Sequence, residues 1–276
     1  IVDSLVGSEM CIRDRTKILV TLPIVMKMVE NGNLSLDTQL KEIIPQYDNS
    51  NKSDKTIKEI LSHFANLKSW IPFYKSTLDT LNKVPNPLYY KKSFSNEYNI
   101  KVTENLYLLS SFKDTININI KNSELNNDKY KYSDLPYYIL KEFIENYYSS
   151  DLSSIIGSQM FNKMGLTHSS FFPKKINSLD NIAPTEIDDY FRFQEIRGTV
   201  HDMGAAMQGG IGGHAGLFSN VNDIAKIMQM FIQDGYYGGE RYFNKSTIDL
   251  FNNCYYCKED NLSLIHISEP TRLSTI

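Results

Sequence analysis

Tyr132, Ser133 and Asp134 stand directly ahead of a well-signalled helix start, Leu135-Pro136-Tyr137-Tyr138. A phenol, a hydroxyl and a carboxylate at the mouth of a rigid helix could move protons or hold a charged substrate group. The plainer reading makes Ser133 and Asp134 helix caps and Tyr132 a packing residue. His201, Asp202 and His214 could ligate a metal, but their spacing matches no common motif, so polar loop residues satisfied by backbone are expected. Cys254 and Cys257 form a lone Cys-x-x-Cys. With no second pair and no two histidines at the usual spacing, a disulfide or an incidental pair is the default. The run Arg197 to Ser219 is the most unusual in composition. Its Gly210-Ile211-Gly212 with Ala215 imitates part of a dinucleotide fingerprint, yet lacks the preceding β-branched strand. Its glycines are better read as letting backbone pass close to another segment or a ligand.

These residues need elements to position them. Asp134 is the expected N-cap of a helix with Pro136 in its first turn, burying Ile139, Leu140, Phe143, Ile144 and Tyr147 on one face. Thr16 to Asn31 reads as a helix with Ile18, Leu19, Leu22, Val25, Met26 and Val29 inward, bent at Pro23 and stopped by Gly32. A short helix ends near Pro45, a polar loop spans 48–55, and Thr56 to Phe64 is helical with Asp54 as a cap. Residues 70–105, rich in aromatics and prolines, read as ordered but irregular. The alternation over 115–120 suggests a strand, with a helix capped by Asp114 as the competing reading. Asp151 to Met164 forms a helix closed by Gly165. A last one follows a cap at Ser219 or Asn220, with Ile224, Ile227, Met228 and Phe231 on one face, and ends at Gly235.

At 276 residues and 41% hydrophobic, the chain can bury a sizeable core. A net charge of −3 without a basic stripe argues against nucleic acid as a partner. No apolar run reaches the roughly 18 residues a membrane span needs. Both ends look foreign. Residues 1–15 and 262–276 are similar to peptides produced when sequencing-adapter DNA is translated, so the native part is expected over 16–261.

Taken together, several segments resemble the serine β-lactamase and penicillin-binding superfamily in its class C-like branch. They are Thr16-Lys17-Ile18-Leu19, Leu61-Ser62-His63, Tyr132-Ser133-Asp134, Met164-Gly165-Leu166, and Gly213-His214-Ala215-Gly216-Leu217-Phe218-Ser219 with Asp223. The run from Ile182-Ala183-Pro184-Thr185-Glu186 through Arg197-Gly198 and Val200-His201-Asp202 is closer still to the subgroup fused behind a glycoside hydrolase family 3 domain. That subgroup implies the periplasm or outer envelope of a Gram-negative bacterium.

The resemblance implies an α/β fold of the β-lactamase/transpeptidase type and an acyl-enzyme mechanism on an ester, amide or β-lactam-like bond. It implies no cofactor and no metal, and a small-molecule or peptidoglycan-like substrate. Carried over by position, Lys17 matches the motif lysine and Tyr132 the tyrosine. Asp134 stands where Asn is usual, keeping the acceptors but losing the amide donor. Gly213, His214 and Gly216 fall where substrate is bound. The nucleophile position, three before Lys17, is Asp14, and no Lys/His-Thr-Gly follows Asn261. The chain as written is therefore expected to be inactive, truncated, helix-dominated, short of most of the central antiparallel sheet, and aggregation-prone through an uncovered apolar face. A non-catalytic cell-wall or glycan binding module is the alternative. A zinc protein using His201, His214 and the cysteines is a third reading.

Overall fold

The structure is a computed structural model and describes residues 10–11, 15–128 and 130–256. The expectations placed on Asp14, on Cys257 and on both tails beyond this range lie outside the described residues.

The central element is the helix that carries Lys17. It begins as a π-helical turn, Lys17–Thr21, in which the Leu22 N–H reaches back to the Lys17 carbonyl, and continues as α1, Leu22–Glu30. The wider turn falls where Pro23 offers no backbone donor in any case. Leu19, Val20, Leu22, Ile24, Val25, Met26 and Met28 are all buried, so the helix is covered on every side. Gly32 follows at φ +73°, a left-handed stop that glycine takes at no steric cost.

Two short helices come next, α2 (Leu40–Ile43) and α3 (Ile57–Leu61). The cap of α3 is Thr56, not Asp54. The Thr56 side chain accepts from the Glu59 N–H, and Glu59 returns a carboxylate to the Thr56 N–H. Asp54 instead pairs with Lys41 at the surface. Residues 70–105 are more regular than their composition suggests. A 3₁₀ turn, Phe73–Thr77, precedes a three-stranded antiparallel sheet. Taking the Met10–Cys11 pair as β1, this sheet comprises β2 (Tyr90–Lys91), β3 (Ile100–Thr103) and β4 (Leu106–Leu108), with β4 central.

The stretch expected as a strand over 115–120 is helical: α4 spans Phe112–Asn122. Phe112, Ile116 and Ile120 recur every four residues and are buried, whereas Ile118 is exposed. The alternation of Ile with Asn therefore misled, because only every second isoleucine faces the core. Helix α5 (Leu135–Tyr148) buries Ile139, Leu140, Phe143 and Ile144 as expected, while Tyr147 lies outside, close to the left-handed Ser149 that ends the helix. Helix α6 (Leu152–Ile156) is capped by Asp151 and runs into a second π-helical turn, Gly157–Phe161.

The remaining elements frame the glycine-rich segment. They are the hairpin β5 (Pro184–Asp188) with β6 (Gln194–Arg197), the single turn α7 (Met203–Ala206), β7 (Phe218–Ser219) and α8 (Val221–Ile232). The Asn220 side chain caps α8, and Ile227 and Met230 are its fully buried residues. A small hairpin, β8 (Tyr236–Tyr237) with β9 (Glu240–Arg241), leads to α9 (Lys245–Asn252). β1 pairs antiparallel with β7. Among the described residues the largest sheet has three strands and the other three have two each. Leu81, Ile187, Val221 and Ile232 are each more than three-quarters exposed. Among the described residues no helix is long and apolar enough to cross a membrane.

Candidate active site

Lys17 is a buried cation, 1% exposed in the first turn of its helix. Its Nζ lies 2.8 Å from Asp134 Oδ1, 5.0 Å from the centre of the Tyr132 ring and 5.6 Å from that of Tyr137. A buried ammonium needs a partner charge and polarisable surroundings, and here a carboxylate and two aromatic faces supply them. Three residues that sequence reasoning drew together, Lys17, Tyr132 and Asp134, are thus brought into one constellation from segments more than 110 positions apart.

This contact changes the role first expected of Asp134. Its side chain makes no cap hydrogen bond; the Leu135 N–H goes to Ser133 Oγ, which stands in as the local acceptor. An aspartate whose carboxylate is drawn to a buried ammonium is not spent on a helix terminus that a neighbouring hydroxyl can serve.

The loop 63–69 cradles the tyrosine segment. Lys131 N–H donates to the His63 carbonyl, Ser133 N–H to His63 Nδ1, Ser133 Oγ to the Lys68 carbonyl and Asp134 N–H to the Ser69 carbonyl. His63 adopts φ +61°, a left-handed conformation uncommon away from glycine. Its ring packs 4.5 Å from Tyr132 and also borders Tyr130 and Tyr137. Burial, aided by the charge of Lys17 and opposed by that of Asp134, depresses the His63 imidazole to about 3, so it is neutral at ordinary pH. His63 entered the sequence reading only as part of Leu61-Ser62-His63. A single histidine before an aromatic loop was the one signal that could have singled it out.

The glycine-rich segment closes over the same helix. Thr21 Oγ1 donates to the Gly213 carbonyl at 2.6 Å, and the Leu217 N–H donates to Thr16 Oγ1 at 3.1 Å. The two threonines therefore tie the segment down on either side of Lys17. A Cβ at Gly213 would lie 2.1 Å from the Tyr137 carbonyl oxygen, and one at Gly216, where φ is +120°, 2.3 Å from that of Gly210. These glycines are required for close approach, and the segment they approach is this chain's own α5 and its own glycine turn. His214 is 1% exposed, stacks on Tyr138 at 4.5 Å, and places Nε2 2.8 Å from Asp202 Oδ1. The same Asp202 oxygen caps α7 through the Ala205 N–H.

Asp134, Asp202 and His214 hold one ligand atom each within 4.8 Å of one another, the grouping that most resembles a metal site. Asp134 Oδ1 already meets the Lys17 ammonium, whose charge would oppose a cation at that point. The trio considered from sequence included His201, but the structure sends that ring elsewhere, 3.0 Å from Glu186 Oε2. Cys254 is disulfide-bonded, which removes it from any zinc site.

Comparisons with known proteins bear on this geometry. The family model described as Beta-lactamase matches residues 15–247. A Salmonella agona protein provisionally named a D-alanyl-D-alanine carboxypeptidase is 29% identical over 257 residues, which is 86% of this chain and 54% of that protein. A protein of the same provisional name from Escherichia coli K12 is 37% identical over 144 residues, 48% of this chain and 33% of its own length. The chain thus spans about half, or less, of the curated relatives it matches. Among solved structures, the octameric penicillin-binding protein homologue from Pyrococcus abyssi superposes with a TM-score of 0.59 at 19% identity, covering 90% of this chain and 49% of that one. A class C β-lactamase from Rhodobacter sphaeroides does so with a TM-score of 0.59 at 11% identity, covering 89% and 56%. At those identities the structures speak for the fold alone.

Proposed function

The chain belongs to the Beta-lactamase family, and from that membership we propose that it is part of a serine hydrolase that works through an acyl-enzyme on an ester, amide or β-lactam-like bond. The observation that carries the reading is the burial of Lys17 against Asp134 and the rings of Tyr132 and Tyr137. In the proposed reaction a serine three positions ahead of Lys17 attacks the substrate carbonyl. Lys17, in its neutral amine form, takes the serine proton to become the ammonium that Asp134 faces, and Tyr132 serves the second proton transfer, to the leaving group. Asp134 holds the Lys17 amine in register. Gly213 and His214 shape the substrate side by keeping their turn pressed on α5, and Gly216 by its close approach to Gly210 and Phe171. The provisional name shared by the relatives favours a peptidoglycan-like substrate and a cell-envelope setting. A fused glycosidase domain in the longer protein remains part of the proposal.

In this chain position 14 is Asp. We attribute that residue, with the rest of 1–15 and 262–276, to non-native sequence, and the chain as it stands is accordingly expected to be inactive. Incubation with a fluorophosphonate or a fluorescent penicillin tests this. The unsubstituted chain should take up no stoichiometric label, and Asp14→Ser should acquire it at position 14. In that background Lys17→Met or Tyr132→Phe should slow labelling by about 10²-fold or more. Stoichiometric labelling of the unsubstituted chain would overturn the account of position 14, and labelling indifferent to Lys17→Met would overturn the role of the lysine.

A further inference from the structure

A cavity of about 360 Å³ opens between β3, the stretch 171–175, and the backbone of Gly198 to Val200 and Gly209-Gly210. None of Lys17, Tyr132 or Asp134 lines it. Its size lies at the lower end of the range of small-molecule sites, about 300–1,000 Å³. Val102, Phe171 and Val200 are buried in its wall and Phe172 is partly buried. Part of the wall is bare backbone. Gly209 and Gly210 have φ of +78° and +89°, and a Cβ built on Gly210 would meet nothing within 4 Å, so the residue leaves open space where a side chain would stand.

The mouth is charged, and unevenly so. Lys101 and Lys174 share one carboxylate, Glu104, each at 3.0 Å. Lys175 makes no ion pair among the described residues; its Nζ stands 4.7 Å over the Phe172 ring. Three ammonium groups against one carboxylate leave two positive charges at the rim of an apolar hollow. Gly198 supports this arrangement, because a Cβ there would come within 2.7 Å of Lys174 Cε, so only glycine lets the lysine stem lie across the rim. An apolar chamber with a cationic lip is complementary to one class of small molecule: a carboxylate carrying an aliphatic body, its tail against Val102, Phe171 and Val200 and its head beside Lys175.

We propose that this cavity is an accessory binding site for amphiphilic carboxylates of medium chain length. The site does not depend on the hydrolase reading, since none of the proposed catalytic residues lines it.

Decanoate is the probe, titrated calorimetrically into the folded chain, with decanol and decyltrimethylammonium as neutral and cationic counterparts. Decanoate should bind saturably with one site per chain, and more tightly than either counterpart. Lys175→Glu, an exposed substitution, should weaken decanoate by about threefold or more while leaving decanol unchanged. Thr199→Trp, at the half-buried wall position, should abolish binding of both by filling the hollow. Circular dichroism should show both variants folded like the parent. Absence of saturable decanoate binding to the folded parent would overturn the proposal. Decanol binding as tight as decanoate would overturn its anionic part, and binding that survives Thr199→Trp would overturn its location.

Discussion

Lys17 and His63 sit side by side in the interior, and their different partners give them different consequences. The lysine has a carboxylate at 2.8 Å; the imidazole accepts one N–H at Nδ1, and among the described residues its Nε2 has no hydrogen-bond partner. Burial therefore weighs against protonating His63, which titrates near 3 instead of 6.5. Between those values the unfolded chain binds a proton that the folded chain refuses. Stability from this group is thus fully present above pH 6.5 and falls as pH drops towards 3. The loss should reach about 2 kcal/mol at pH 5. Urea unfolding at pH 7 and pH 5 checks it: His63→Phe should be less stable than the parent at pH 7 but should lose less on acidification. An equally steep loss in the variant would refute the assignment.

Among the elements, glycines illustrate two opposite regimes. Gly213 lies where a methyl group would run into the Tyr137 carbonyl, and carbonyl backbone in the buried first turn of α5 cannot readily step aside. Gly213→Ala should cost about 1–3 kcal/mol through overpacking. Gly157 occupies helical backbone at φ −55° between α6 and its π-helical continuation, with nothing within 4 Å of an added Cβ. Gly157→Ala should stabilise by about 0.4–1 kcal/mol, chiefly by restricting the unfolded chain. Paired denaturation curves decide the matter, and a shift of the same sign in both would contradict the steric reading. The contrast also bears on the glycine-rich segment, whose composition reflects the closeness with which it is pressed to α5.

At the scale of the molecule, Arg192 fastens the β5–β6 hairpin to the stretch that follows it. Its fully buried guanidinium donates to Asp188 at 2.6 Å within the β5–β6 turn, and to the carbonyls of Val200 and His201 that lead into α7. The hairpin is thereby fastened to the segment that presents Asp202 and His214. Replacing the arginine strands a carboxylate that is itself fully buried. Arg192→Met should destabilise by about 3–5 kcal/mol. In a thermal melt that corresponds to a drop of roughly 10 °C for a chain of this size. Adding Asp188→Asn should recover part of the loss, because the amide oxygen can still accept backbone N–H groups without carrying an unpaired charge. No recovery in the double variant would mean that the arginine acts through packing alone.

Local patterns in the chain determined much of what is seen. Apolar spacing announced the Lys17 helix, α5, the stretch that opens with α6, and α8, and glycines announced the ends of the first, third and fourth at Gly32, Gly165 and Gly235, because helical periodicity and left-handed stops are short-range physics. Family resemblance drew Lys17, Tyr132 and Asp134 into one motif set. Tertiary structure decided what each of them does. Asp134 looked like a helix cap until a buried lysine from a distant segment claimed its carboxylate. Thr56 took the cap assigned to Asp54, and the alternating isoleucines of α4 turned helical when only Ile116 and Ile120 found the core. His201 parted from Asp202 and His214 once Glu186 stood 3.0 Å from its ring. The Thr56 cap rests on Glu59 three residues on, whereas the other outcomes rest on partners outside the local stretch. A charge or polar group takes whichever partner the packed interior brings within reach, and no local pattern records that choice.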